Sequence, residues 1–362
     1  MQHDAQLGPQ RRRGPHPLPV FLAAVSAACE GDPARLARVL AGLRRYQSAP
    51  PAPRRGDHPI IARIGNVTLR DHGAAVRRDH GGAARRAGAA TRRPVVIVPS
   101  LINAPDVVDL AAGNSLTAGL AAAGLRPLVV DWGDTEPHGL GAAVADRLAP
   151  LIAGLGQPVP VAGYCLGGTL ALAAATLGAR VSRLALLAAP WHFSGYDSAA
   201  RAGMADWWAA AAPLAARLGA VPMDLLQPAF WALNPVGIAA KYADFAASID
   251  AGSAFVHLED WANSGVPLSI AASRDLAETL FAADASGRGE WTIAGRRIDP
   301  TALAIPILDI IAGRDRIVPP GAALTSNGPG TPLILDAGHV GMVVGRRAPA
   351  LLWAPLADFL KG

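Results

Sequence analysis

Apolar positions along this chain follow two rhythms. From residue 95 onward, short apolar runs recur at Val95–Val98, Pro127–Asp131, Val159–Tyr164, Arg183–Ala188, Ile305–Ile311 and Leu333–Leu335. Between them lie Ala-rich stretches of helical period, such as Ser115–Ala123 and Gly168–Leu177. Buried strands alternating with helices of roughly 10–15 residues are the mark of βαβ units. The alternation therefore predicts an α/β fold built on a mostly parallel central sheet. Ahead of it, Ile60–Ile64 and Val67–Asp71 flank Gly65-Asn66 and predict a β-hairpin. Residues 34–46 predict a helix with Pro33 in its first turn. Residues 1–17 are polar and rich in Pro and Gly, which predicts no fixed structure; residues 47–58 read as a linker and 81–93 as a loop.

Two segments depart from these rhythms. Arg11–Arg13 followed by the apolar run Leu18–Ala28 loosely mimics a secretory leader. His16 and Pro17 separate the charges from the run, however, and an amphipathic pattern resumes at Leu36, Val39, Leu40 and Leu43. A helical N-terminal extension is the better reading. No unbroken run of 18 apolar residues exists to suggest a membrane span. The second departure is 191–300, which holds six of the eight Trp and no core-strand spacing. An inserted cap over the carboxyl edge of the sheet, where open α/β sheets place their sites, would account for it. The expected organisation is an extension over 1–33, core over 34–190, cap over 191–300 and core again over 301–362.

Composition changes this picture little. The net charge of +5 and pI near 9.7 favour anionic partners such as phosphates or a membrane or granule surface. No Lys/Arg stripe interleaved with aromatics points to nucleic acid. Two cysteines, Cys29 and Cys165, are too few for a disulfide scaffold in a chain of 362 residues.

Cys165 carries the most informative context. The strand Val159–Tyr164 runs into Gly163-Tyr164-Cys165-Leu166-Gly167, and a helix begins near Gly168. This is the nucleophile-elbow pattern G-x-S-x-G with Cys in place of Ser. A nucleophile on a strained strand-to-helix turn needs small residues two positions either side. The elbow would put Cys165 at a helix N-terminus, where the dipole favours an anionic nucleophile. It would also aim the Leu166 N–H at a developing oxyanion. The bland alternative for Cys165 is a small buried core residue. A thiol nucleophile needs a base, and the base an orienting acid. The hydrolase fold supplies them in the order nucleophile, acid, His, each after a late strand. Here Asp315 follows the strand Ile305–Ile311, 150 residues after Cys165 (315 − 165), and His339 follows Leu333–Leu335, 24 residues later (339 − 315). Asp131 and Asp336 are lesser candidates for the acid. The echo of Arg70-Asp71-His72-Gly73 in Arg78-Asp79-His80-Gly81 reads as a repeated polar turn, since a metal site there would need a third ligand and an argued geometry. No Walker A, HExxH or dinucleotide fingerprint stands in a suitable context, so no metal or cofactor is expected.

These residues resemble the polyhydroxyalkanoate (poly-beta-hydroxybutyrate) synthase family, nearest its class III-like members, within the α/β-hydrolase superfamily. Gly163–Thr169 is similar to its G-x-C-x-G-G box, Val98–Leu110 to the motif after its first parallel strand, and Asp131-Trp132-Gly133 to its D-W-G segment. Glu259-Asp260-Trp261, Asn263 and Gly265-Val266-Pro267 resemble its cap segment, and Gly42–Gln47 the end of its N-terminal helix. Asp315 with Ile317-Val318-Pro319 matches D-x-I-V-P, and Gly338-His339-Val340-Gly341 matches G-H-x-G. Arg316 stands where the family often has His, and Asp106 where it is usually aromatic. The resemblance implies an acyltransferase that polymerises 3-hydroxyacyl-CoA through a thioester on Cys165. It implies His339 as base, Asp315 as the acid that orients His339 or assists the hydroxyl, and an oxyanion hole of the Leu166 and Ile102 N–H groups. It further implies a cytoplasmic enzyme at the granule surface, working as a homodimer or with a second subunit and without a bound cofactor. A Cys-dependent thioesterase or polyester depolymerase, or an idle granule-associated protein, would share the same fold.

Overall fold

Ten strands form along the chain: β1 (Ile60–Ile64), β2 (Val67–Asp71), β3 (Arg93–Val98), β4 (Leu125–Asp131), β5 (Val159–Tyr164), β6 (Val181–Leu187), β7 (Thr292–Ile293), β8 (Arg296–Arg297), β9 (Ile307–Ala312) and β10 (Thr331–Leu335). The computed structural model describes residues 14–52, 56–73, 92–248 and 253–362. The expectations for 1–13, for the loop 81–91 and for the second half of the Arg-Asp-His-Gly echo lie outside them. The described chain divides into two compact units. One joins Met1–Pro53 to Gln227–Asn263, and the other joins Arg54–Leu226 to Ser264–Gly362.

The larger unit carries the sheet. Eight strands lie in the order β1-β2-β4-β3-β5-β6-β9-β10, while β7 and β8 form a separate small hairpin. β1, β2 and β4 pair antiparallel; every pairing from β4 through β3, β5, β6 and β9 to β10 is parallel. The α/β class is therefore as expected. The residues explain the geometry: all six positions of β5 are buried, as a strand covered on both faces requires. The helix Leu166–Thr176 is buried from Leu166 through Ala175, and its Ala run lets it lie close against the sheet. Strand ends differ from expectation by one or two residues. At β9, for example, the Leu184 N–H bonds the carbonyl of Pro306, and the strand itself begins at Ile307 rather than Ile305.

The smaller unit departs from the expected division at 33, 190 and 300. The helices Leu18–Ala28 and Pro33–Ser48 do not form an extension plus the start of the core. They share a hydrophobic core with the middle of the insertion, in which Phe21, Val25, Val39, Leu43 and Tyr46 pack with Trp231, Tyr242, Phe245 and Val256. Asp32 caps the second helix by accepting from the Arg35 N–H at 2.8 Å. Gly42 is required where that helix crosses Pro235–Ala247, because a Cβ there would run into the Tyr242 carbonyl. Tyr46 donates to Asp260 at 2.8 Å, and buried Glu259 accepts from Tyr242 at 2.7 Å and pairs with Lys241. Among the described residues, no helix is long and apolar enough to cross a membrane.

Candidate active site

Three late strand ends of the larger unit assemble the site. Cys165 leaves β5 with φ 55° and ψ −134° and serves as N-cap of the helix Leu166–Thr176. A positive φ at a non-glycine residue is strain that persists only where the surroundings enforce it. They do: the Cys165 N–H bonds the Leu187 carbonyl at 2.9 Å and its carbonyl accepts from the Gly168 N–H at 2.8 Å. The neighbouring glycines are fixed by close approach. A Cβ on Gly163 would strike the Gly168 backbone, one on Gly167 the carbonyls of Val98 and Pro99, and one on Gly168 the Ala189 side chain. The elbow thus fits only this glycine pattern against β3.

β9 and β10, paired in parallel, deliver the acid and the imidazole side by side. Backbone bonds from the Gly313 N–H to Leu335 (2.8 Å) and from the Arg314 N–H to Ala337 (2.9 Å) hold their two loops together. The Asp315 side chain is wholly buried, with Oδ1 accepting from the N–H groups of Ile317 at 2.7 Å and Val318 at 2.9 Å. Its Oδ2 lies 2.6 Å from Nδ1 of His339. Burial works against charge on His339. The charge of Cys165, the hydrogen bond to Asp315, a hydrogen bond to Cys165 and the charge of Asp315 prevail, and the imidazole is raised from 6.5 to about 10. His339 thus bonds Asp315 directly, while Cys165 bears on the same imidazole through its charge.

Of the lesser acid candidates, neither joins it. Asp336 is exposed and paired with Arg314 and Arg347; Asp131 pairs with Arg70 at 2.8 Å. Arg316 is exposed, as is Asp106. The Leu166 N–H opens the helix behind Cys165, where first-turn N–H groups have no intrahelical acceptor. The Ile102 N–H, expected as the second oxyanion donor, donates to Ser100 Oγ 3.3 Å away. A local side-chain acceptor has claimed that amide, a competition that motif order does not reveal.

Two tyrosines escaped the sequence reading. Tyr164 lies tilted against the His339 ring, centroids 5.1 Å apart, and its hydroxyl donates to the His339 carbonyl at 3.3 Å. Tyr196 stacks on Phe193 and meets Phe281. Burial foremost, then the charges of Cys165 and Asp315, raises both phenols well above their ordinary value. Tyr164 stands in the elbow itself and could have been noted there. Tyr196 carries no local signal.

No family profile matches the chain. Curated relatives do. The chain is 25% identical over 285 residues to the poly(3-hydroxyalkanoate) polymerase subunit PhaC of Haloferax mediterranei, covering 74% of this chain and 58% of that protein. It is 26% identical over 292 residues to the PhaC subunit of Synechocystis sp., covering 74% and 77%. The chain spans about three fifths of the length of the first two curated relatives, 58% and 60%. Among solved structures, BpoC of Mycobacterium tuberculosis, in name a non-heme bromoperoxidase, superposes with a TM-score of 0.51 at 19% identity, covering 84% of this chain and 98% of that one. That likeness fixes the fold as that of the α/β hydrolases.

Proposed function

We propose that this chain, a relative of the polyhydroxyalkanoate polymerase subunits, is an acyltransferase that builds polyester from 3-hydroxyacyl-CoA through a thioester on Cys165. The observation that carries the reading is the buried His339–Asp315 hydrogen bond, with Cys165 bearing on the same imidazole from a strained elbow, in a protein similar to PhaC over 74% of its length.

The chemistry follows from the geometry. Cys165 Sγ attacks the thioester carbonyl, a new C–S bond forms, and the C–S bond to CoA breaks. The departing CoA sulfur takes its proton from the His339 imidazolium. Exchange between two thioesters is nearly balanced, because attacking and leaving groups are alike. His339, now neutral, accepts the proton of the 3-hydroxyl of a second hydroxyacyl unit. That oxygen attacks the acyl carbon, the ester C–O bond forms and the Cys165 thiolate leaves. Asp315 Oδ2 holds the Nδ1 proton throughout and so aims the other ring nitrogen at the thiol. The Leu166 N–H stabilises the developing oxyanion. The cycle asks for no metal or prosthetic group. The curated relatives are named as subunits, which supports work alongside a second chain or copy; a place in the cytoplasm at the granule surface belongs to the same proposal.

The test is incubation with 3-hydroxybutyryl-CoA, following CoA release and polymer turbidity together. CoA with polymer is expected, and both are lost in Cys165→Ala. CoA released without polymer assigns a thioesterase instead. Activity undiminished by the substitution refutes the thioester role.

A further inference from the structure

Outside the triad, the larger unit gathers a second set of chemistry-bearing side chains on the opposite half of the sheet. His58 precedes β1, His72 follows β2, and Asp109 ends the short helical turn Pro105–Asp109. Asp109 Oδ2 lies 3.0 Å from His58 Nε2 and 3.2 Å from His72 Nδ1. Ligand atoms about 2.0–2.2 Å from a tetrahedral cation sit roughly 3.3 Å from one another, close to both spacings. The other oxygen of Asp109 accepts from Ser115 Oγ at 2.6 Å, an outer partner of the kind that orients a ligating carboxylate.

The surroundings favour positive charge. A cavity of about 210 Å³ opens beside the cluster, lined also by Asp57, Asp106 and Asp131, with Arg70 as its only fixed cation among the described residues. Among the described residues, four carboxylates face one guanidinium there, an acidic local balance in a protein of net charge +5. Asp106 and Asp109 stand one turn apart on the same short element, so the carboxylate at the place usually aromatic lines this hollow.

We propose that His58, His72 and Asp109 form a binding site for a divalent transition-metal cation such as Zn²⁺. Two imidazoles and a carboxylate suit such a cation, and water or Asp106 would complete its shell. The rings of His58 and His72 are stacked, centroids 3.5 Å apart and 17° between planes, so their lone pairs run side by side. Cation uptake therefore turns the His58 ring out of the stack. That ring is fit to turn: it lies in an irregular segment, its side chain is 22% exposed, and its Nδ1 has no hydrogen-bond partner among the described residues. The bound ion would tie the start of β1 and the end of β2 to the segment after β3. The site stands apart from the acyl chemistry and does not depend on it. It also meets the need of the His72 turn for further ligands, which come from residues 14 positions before it (72 − 58) and 37 after it (109 − 72).

The test uses the full chain carrying Cys165→Ala, so that the active-site thiol cannot capture metal. Titration calorimetry with Zn²⁺ and the visible absorption of Co²⁺ report binding. One equivalent of Zn²⁺ is expected, with affinity falling at least tenfold on adding Asp109→Asn or His58→Ala and the Co²⁺ bands disappearing. His58→Ala removes a partly exposed side chain and decides the matter should Asp109→Asn not fold. Failure to bind one equivalent, or affinity within twofold of the parent after His58→Ala, overturns the site.

Discussion

His339 sits between two opposing influences. Burial favours the neutral ring, while the charge of Cys165 and the hydrogen bond to Asp315 favour the imidazolium, and the outcome is a value of about 10. The sign has a consequence for stability. A folded value above the unfolded 6.5 means that this imidazole's contribution is complete below pH 6.5 and is lost as pH rises from there through about 10. Cys165→Ala removes both the charge and the hydrogen bond of the thiol. Burial is then opposed by Asp315 alone, so the ring should deprotonate at lower pH than in the wild type. Side-chain NMR titration of His339 in the two proteins measures this. Superimposable titration curves would show that Cys165 does not act on the ring. At this scale residue type and order sufficed to anticipate that Asp315 meets His339 and that Cys165 stands on the turn into a helix. The sequence was not legible where an amide chooses between acceptors: the Ile102 N–H goes to Ser100 Oγ, a matter of local angles.

At the scale of elements, the elbow shows how strand, turn and helix constrain one another. Gly167 lies where the helix Leu166–Thr176 passes the end of β3, and a methyl group there would enter the carbonyls of Val98 and Pro99. Gly167→Ala therefore has to push the helix start away from β3. Overpacking of this kind costs about 1–3 kcal/mol, and more when the obstruction is backbone. Displacing a nucleophile, the role proposed for Cys165, by about 1 Å costs about 100-fold in rate. The expected result is a lowered denaturation midpoint together with a loss of CoA release on that scale. A variant as stable and active as the parent would show that the close approach is not needed. The strands themselves were legible because their burial writes continuous apolar runs, as in β5. Their ends were less so, since Pro306 shares in the sheet's bonding through its carbonyl without belonging to β9.

At the scale of the whole molecule, the smaller unit is what periodicity hid most completely. Arg45 bonds the carbonyls of Phe245 and Ser248, and Tyr46 bonds Asp260, partners about 200 residues away in sequence. An amphipathic pattern tells that a helix has a buried face and nothing about what covers it. Hence Leu18–Ala28 and Pro33–Ser48 read as an extension and a core helix, although their apolar faces meet Trp231, Tyr242 and Phe245. The same fact makes a prediction about truncation. Removing residues 1–53 takes away Phe21, which is 1% exposed and packs edge-on to Trp231 at 5.3 Å, together with Val39 and Tyr46. Losing one such aromatic costs about 3–5 kcal/mol, and losing the whole face exceeds what the remaining residues of 227–263 can offset. The truncated chain should therefore be cut by protease chiefly within 227–263, while the sheet unit, whose core lies in β3 to β6 and β9, stays protected. Mass mapping of limited digests reads this directly. Identical cleavage maps with and without residues 1–53 would mean that the insertion is held by other contacts than these helices.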